Sequence, residues 1–441
     1  MAEPAPGAPI APPASSVPPV QTPVPRGLRA RWARLATVLA VIGPGIITAN
    51  VDNDAGGIAT YSQAGAAFGY ALLWTLIPIT AALILVQEMC ARMGVVTGKG
   101  LSDLIRERFG VKTTFWVMTA LVLANLGNTV AEFAGVAQSL EIFGISRYLS
   151  VPLAAAVVWV LVVKGSAKIV ERIFLVACTF YVAYLISGFL AKPDWGEVWT
   201  GTLTPTLKMN GPQLTMVVTL VGTTIAPWMQ FYLQSAVVEK RISIEDYKLS
   251  RLDVIVGCFV TDIVAFFIVL ACGATIYKVG GHIDDAKDAA IALGPLAGKY
   301  ASALFAFGLF NASLFAASIL PLSTAFFVCE AFGWESGVDK KREQAPQFYA
   351  LYLALIVVGA GIVLVPGLPL QQIMLLSQTA NGVLLPFILV FMLLLAGDEK
   401  LMGVHKNGRV MTWVAWGTTI LLVLLTVAML VFTVRDGVGM G

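Results

Sequence analysis

The chain alternates long apolar runs with short polar joints over nearly its whole length. From Ala36 to Phe432 the apolar stretches recur at lengths that suit a bilayer, whose hydrocarbon core needs about 20 apolar residues per helix. The runs predict spans at 36 to 66 with an internal break, 70 to 94, 113 to 141, 150 to 164, 170 to 191, 214 to 238 with a second break, 252 to 277, 298 to 331, 347 to 366, 371 to 396 and 410 to 433. The pattern predicts an all-α polytopic membrane protein of about eleven transmembrane helices. The first 35 residues break it: Pro, Ala and Ser dominate with no apolar run, and they read as a disordered tail.

Composition agrees, with 58% apolar and 12% charged residues and a mean hydropathy of +0.81. A net charge of +3 gives no case for nucleic acid. Most of the 29 Lys and Arg fall in alternate joints, chiefly Arg26 to Arg34, Lys99 to Lys112, Lys240 to Arg251 and Lys340 to Arg342. The positive-inside rule then predicts a cytoplasmic amino terminus and an extracellular carboxyl terminus in the cell membrane.

Cysteines and histidines offer little chemistry. Cys90, Cys178, Cys258, Cys272 and Cys329 lie in apolar segments without metal-ligand spacing and read as reduced packing residues; His282 and His405 fall in polar joints and read as solvated. Nothing resembles a paired acid and base or an activated nucleophile, so an enzyme is not expected, nor is a cofactor or an obligatory protein partner.

The candidate chemistry sits at two interrupted spans. The first reads GPGIITANVDNDAGGIATYSQAG, with Asp52, Asn53, Asp54, Gly56 and Gly57 at its middle; the sixth reads VGTTIAPWMQFYLQS, with Thr223, Thr224 and Pro227 in the equivalent place. Open backbone in lipid is tolerated only where it lines a cavity or is buried in protein. Each interrupted span opens a five-span block, 36 to 191 and 214 to 396, which is the sequence signature of an inverted-repeat transporter with its site between the breaks. Exposed carbonyl oxygens there suit hard cations.

A carboxylate at this depth costs at least about 2.5–3.5 kcal/mol on insertion scales, which makes Asp54 or Asp52 a functional residue by default. The structural alternative is a cap on the second half-helix, a role that fits Asp52 better than Asp54. Glu88 stands four residues before Arg92, as for an i,i+4 pair. Asp262 and Glu132 are either relay groups or satisfied buried acids. Gln378 and Asn381 share one helical face of the tenth span and can offer amide oxygens to a cation or hydrogen-bond a broken helix.

These residues bring a family into view. DAGGIATYSQAGAAFGY (Asp54 to Tyr70), ARMGVVTGKGL (Ala91 to Leu101), KPDWGEV (Lys192 to Val198), EAFGW (Glu330 to Trp334) and SQTANGV (Ser377 to Val383) together make the chain resemble the NRAMP (natural-resistance-associated macrophage protein) family of divalent metal transporters. The resemblance runs from Ile42 to Gly403. It implies a leucine-transporter-type inverted repeat of two five-helix units with broken first and sixth helices, plus an additional eleventh helix at 410 to 433.

Matched position by position, the family's metal-binding aspartate falls on Asp54, its carbonyl contributors on Val51 and Thr223, and its tenth-span glutamine on Gln378. Two ligands depart from the pattern. The asparagine of the family's D-P-G-N segment is Gly57 here, and the methionine of its M-P-H segment is Ala226. A soft thioether favours manganese, iron or cadmium over magnesium, so its loss removes discrimination against the harder ion. The wider, all-oxygen pocket suits a partly hydrated Mg2+, as in the NRAMP-related magnesium transporter branch, with Mn2+ also carried. Met229 could supply a replacement sulfur if the break were shifted.

The family's proton-coupling positions fall on Trp228, Thr129 and Glu132, and the ninth span contains no Arg, Lys or His. The expectation is alternating access with weak or no proton coupling. The rival expectations are a proton-coupled Mn2+/Fe2+ transporter of the same family, a sodium-coupled organic-solute carrier, and a non-transporting sensor or scaffold. Asp54 in the substrate position argues against an anionic solute, and a sensor would be expected to carry a large soluble domain, whereas this chain ends within ten residues of its last span.

Overall fold

A computed structural model describes residues 51–164, 181–338 and 340–438. The Pro-rich tail, the opening half of the first span, the start of the fifth and Cys178 lie outside the described residues.

The helices follow the apolar runs. They are α1 (Ala55–Phe68), α2 (Leu76–Thr97), α3 (Leu101–Glu141), α4 (Arg147–Lys164), α5 (Val182–Leu190), α6 (Trp195–Leu203), α7 (Gly211–Thr224), α8 (Pro227–Glu239), α9 (Tyr247–Thr275), α10 (Ala301–Phe332), α11 (Pro346–Val363), α12 (Leu370–Ala396) and α13 (Arg409–Val438). No strand occurs among the described residues. Among the described residues eight segments are long and apolar enough to cross a membrane, with α7 and α8 counted as one. The first and fifth predicted spans lie partly outside the described residues, and the fourth is the shorter apolar helix at α4, so these segments correspond to nine of the eleven predicted spans.

Polarity is arranged inside out. Large apolar side chains such as Trp116, Leu123, Leu376, Phe387 and Trp413 face outward, while Asn125, Asn128, Glu132, Gln378 and Asn381 are buried. In lipid the apolar outer face carries no hydration penalty, and polar groups collect where other protein groups satisfy them. Helix α3 runs through the interior and packs against α10, α12 and α11. Where α7 crosses α12, Gly222 and Gly382 face each other. A Cβ on Gly222 would collide with the backbone of Gln378 and Gly382, and one on Gly382 with the Val218 carbonyl. Small residues permit this backbone-to-backbone approach.

Some joints are helical where none was expected: α6, capped by Asp194, lies between the predicted fifth and sixth spans, and another helix precedes the third. The polar stretch from Lys99 to Lys112 is helical from Leu101, and Gly110, at φ 81°, separates this piece from the span proper. Leu101, Leu104 and Ile105 are buried, while Asp103–Arg106 (3.2 Å) and Lys99–Glu107 (2.7 Å) pair on the outer side. An amphipathic surface helix has formed where charge density suggested a loop. The Glu88–Arg92 pair is present at 3.3 Å, and the Arg92 guanidinium also donates to the His405 carbonyl (2.7 Å) and Asn407 Oδ1 (2.5 Å). These bonds tie the end of α2 to the joint before α13. Cys90, Cys258, Cys272 and Cys329 are free and buried, and His282 is exposed.

Candidate metal-ion site

Both breaks occur where the sequence places them. In the sixth span α7 ends at Thr224, Ile225 (φ −124°, ψ 54°) and Ala226 (φ −62°, ψ 136°) leave helical geometry, and α8 resumes at Pro227. Proline has no N–H, so the Thr223 carbonyl loses the donor that a continuous helix would give it. Ile225 N–H still reaches the Val221 carbonyl (2.8 Å), which fixes where regular bonding stops. With its nitrogen turned toward them, the Gln230 amide donates to the carbonyls of Pro227 (2.6 Å) and Ala226 (2.7 Å). Met229 lies inside α8, its N–H on the Ala226 carbonyl (3.0 Å), so the break is not shifted onto it.

The first break lies at Asn53 and Asp54. Asp54 is the residue that caps α1, its Oδ1 accepting from Gly57 N–H at 2.7 Å. This corrects the expectation that Asp52 would cap: the helix resumes at Ala55, and only Asp54 stands at the N-cap, three residues before the amide it holds. Asp52 ends the preceding helical turn instead. Glu132 on α3 completes the arrangement, with its Oε2 accepting from Ala55 N–H at 3.2 Å. In an unbroken helix that amide would bond the Val51 carbonyl, and Glu132 takes it away.

The carbonyl groups of the break can thus be accounted for one by one. Asn53 O accepts from Tyr181 OH (2.6 Å), Asp54 O accepts from Ile58 N–H (2.9 Å), and Asp52 O lies against Gly57, where a Cβ would meet it. Val51 O has lost its donor to Glu132. The two breaks touch through Tyr61 OH and Thr224 Oγ1, 2.8 Å apart.

Gln378 packs directly on Gly56, where any Cβ would collide with its amide. Its Oε1 accepts from Asn381 Nδ2 (3.0 Å). Asn381 in turn exchanges hydrogen bonds with Asn128 (2.9 and 3.2 Å), Asn128 donates to Asn125 Oδ1 (3.2 Å), and Asn125 Nδ2 donates to Thr324 Oγ1 (2.5 Å) and the Leu320 carbonyl (2.9 Å). This chain of amides joins α12, α3 and α10. Asn381 is therefore an anchor for Gln378. The sequence signal for Asn125 and Asn128, two amides three residues apart in an apolar span, is the same one that marked Gln378 and Asn381.

Thr223 is buried with no partner for its hydroxyl among the described residues, Thr224 Oγ1 donates to the Leu220 carbonyl (2.8 Å), and Thr129 Oγ1 donates to the Asn125 carbonyl (2.8 Å). Trp228 is buried beside Tyr232. Among the described residues no three of His, Cys, Asp and Glu gather as a metal cluster. A cation at these breaks would be held by one or two carboxylates and neutral oxygens, which is the donor set of a hard ion.

The profile of a family described as natural resistance-associated macrophage protein-like matches residues 45–432, most of the chain. The chain belongs to the NRAMP family. Similar relatives are each called divalent metal cation transporter MntH. That of Deinococcus radiodurans is 26% identical, with 91% of this chain and 90% of the relative covered. That of Bacillus subtilis is 26% identical, with 90% and 93% covered. Among solved structures, the Eremococcus coleocola manganese transporter, in complex with an aromatic bis-isothiourea compound, has a TM-score of 0.75 at 24% identity, covering 92% of this chain and 88% of its own. Mhp1, a nucleobase-cation-symport-1 family transporter, has a TM-score of 0.57 at 17% identity, covering 89% and 91%. The fold is thus that of the NRAMP transporters and of Mhp1. As an NRAMP protein the chain is a multi-pass membrane transporter and not an enzyme, and metal ions are its cargo rather than a cofactor.

Proposed function

We propose that this NRAMP protein carries divalent metal ions with partly hydrated Mg2+ as its main cargo and Mn2+ as a second. Asp54, the carbonyls of Val51 and Thr223, and Gln378 provide the oxygen ligands; Ala226 leaves room for retained water, while Gly57 lets the Asp52 carbonyl close against the turn. Asp52, Asn53 and Thr224 are accessory. The observation that carries this reading is the sixth-span break, where Ala226 occupies the extended N-cap position and offers no thioether. Magnesium dehydrates reluctantly and takes oxygen ligands, so a site without soft donors does not disfavour it.

The transport cycle is alternating access about the two breaks, between a first repeat at 36–191 and a second at 214–396, with the tail 1–35 inside and the carboxyl terminus outside. Proton coupling is weak or absent. Thr129 and Trp228 have no acid or imidazole to offer, and the ninth span carries no Arg, Lys or His, which leaves Glu132 as the one acid at the relay positions. The membrane potential suffices as a driving force: two charges crossing 100 mV gain about 4.6 kcal/mol, roughly three decades in concentration ratio. The second reading is proton-coupled Mn2+/Fe2+ transport, and its metal, though not its coupling, is favoured by the likeness to the Eremococcus coleocola manganese transporter.

The test is Mg2+ uptake into proteoliposomes loaded with a fluorescent indicator, with Mn2+ and a pH-sensitive dye in parallel. Entry of Mg2+ without acidification, abolished by Asp54→Ala, is expected. Flux of Mn2+ alone, or proton entry with the metal, selects the second reading.

A further inference from the structure

Next to the break, one group of buried oxygens consists of acceptors whose neighbouring donors are engaged elsewhere. Asp52, before the first break, and Asp262, on α9, are 2% and 6% exposed, and none of their four carboxylate oxygens receives a hydrogen bond among the described residues. The Asn53 amide nitrogen donates to Thr261 Oγ1 at 3.0 Å. That bond staples the residue after one acid to the residue before the other. It also leaves Asn53 Oδ1, in a side chain 1% exposed, with no donor. Asp52 lies within electrostatic reach of Asp262 and of Asp54.

Most of the surrounding hydroxyls are committed to other partners. Tyr61 lies in the field of the same acids, and its oxygen is 2.8 Å from Thr224 Oγ1. With the Thr224 proton on the Leu220 carbonyl, the shared proton is that of Tyr61, which leaves the Tyr61 oxygen as an acceptor near the acids. Tyr181 OH donates to Asn53 O, and the Thr80 hydroxyl, which faces Asp262 as its one side-chain donor, also reaches the Leu76 carbonyl at 2.7 Å. The weak S–H of Cys258 is the donor that remains nearby. Buried carboxylates without donors are expensive unless a cation balances them.

We infer that Asp52 and Asp262, with Asn53 Oδ1 and the Tyr61 oxygen, form a second site for a hydrated divalent cation beside the Asp54 site. The inference rests on the reading that the first break handles divalent ions, and it assigns Asp52 and Asn53, accessory in that reading, to a separate ion held with Asp262 rather than with Asp54. Two acids balance the charge of one such ion, and the neutral oxygens complete an all-oxygen shell that leaves positions for water. The site gives an ion that leaves or approaches Asp54 a second place to rest within the same layer of the membrane.

The test uses the full chain in nanodiscs, titrated with millimolar Mn2+ and read by the loss of the free-ion EPR signal. Two ions per chain are expected for the unmodified protein, one for Asp262→Asn, one for Asp54→Ala and none for the double variant. An Asp262→Asn protein that binds as many ions with the same affinity as the unmodified chain overturns the inference, since the acids then hold only protons or water. A full complement in Asp54→Ala together with a lost ion in Asp262→Asn refutes the Asp54 reading and leaves this one standing. A measurement without mutation covers the case of a misfolded variant. In Mn2+-soaked crystals an anomalous peak between Asp52 and Asp262 supports the site, and a peak at Asp54 alone overturns it.

Discussion

Glu132→Ala removes the acceptor that draws the Ala55 amide away from the Val51 carbonyl. Ala55 is fully buried, and a buried N–H left without a partner costs about 1–3 kcal/mol, enough to send it back to the carbonyl one turn upstream. Closing that bond restores a helical turn at the break and withdraws one oxygen from the proposed metal shell. A loss of about 1–2 kcal/mol in ion binding corresponds to roughly a 5- to 30-fold rise in KM. Glu132→Gln keeps an oxygen acceptor in the same place, so its KM should stay within about threefold of the unmodified protein. Proteoliposome uptake across a range of Mg2+ and Mn2+ concentrations measures both variants. If glutamine is as damaging as alanine, the ionised carboxyl itself matters and the capping account is wrong. If neither substitution changes KM, Val51 is not a ligand.

Other substitutions probe other parts of the site. Ala226→Met adds a thioether at the sixth-span break, and Mn2+ should then compete with Mg2+ uptake at concentrations at least tenfold lower than in the unmodified protein; an unchanged competition ratio would mean that the side chain does not reach the ion. Asp54→Asn keeps an oxygen for the Gly57 amide and should preserve the melting temperature within a few degrees while abolishing uptake, whereas Asp54→Ala should also lose about 0.5–2 kcal/mol of cap, seen as a lower melting temperature. Asn381→Ala frees Gln378 from its anchor and should raise KM several-fold with turnover little changed. Gly382→Leu drives a side chain into the Val218 carbonyl and should abolish stable folding, read as aggregation on size exclusion.

Much of this architecture is legible in the sequence because lipid imposes simple demands. A run of apolar residues must be a span, and Pro227 or the Asp52–Gly57 segment must interrupt one. The cap was harder to place, since choosing between Asp52 and Asp54 needs the residue at which the helix resumes. The Leu101 surface helix was hidden because its charges pair with one another and its apolar side is only three residues wide. The capping role of Glu132 could not be read at all: its partner is a backbone amide 77 residues away, and only the packing of α3 against the first break brings them together. Asn125 and Asn128 could have been found, by asking of the third span the question asked of the tenth.

The contact between Tyr61 and Thr224 bears on how fast the carrier can change shape. It is one hydroxyl-to-hydroxyl bond, and it joins the second half of the first span to the first half of the sixth. A bond of this kind contributes about 0.5–1.5 kcal/mol net, which biases a two-state equilibrium by roughly 2- to 13-fold. That bias favours the joined arrangement, yet thermal motion overcomes it readily. A Tyr61→Phe carrier would keep the same two end states and spend a different share of its time in each.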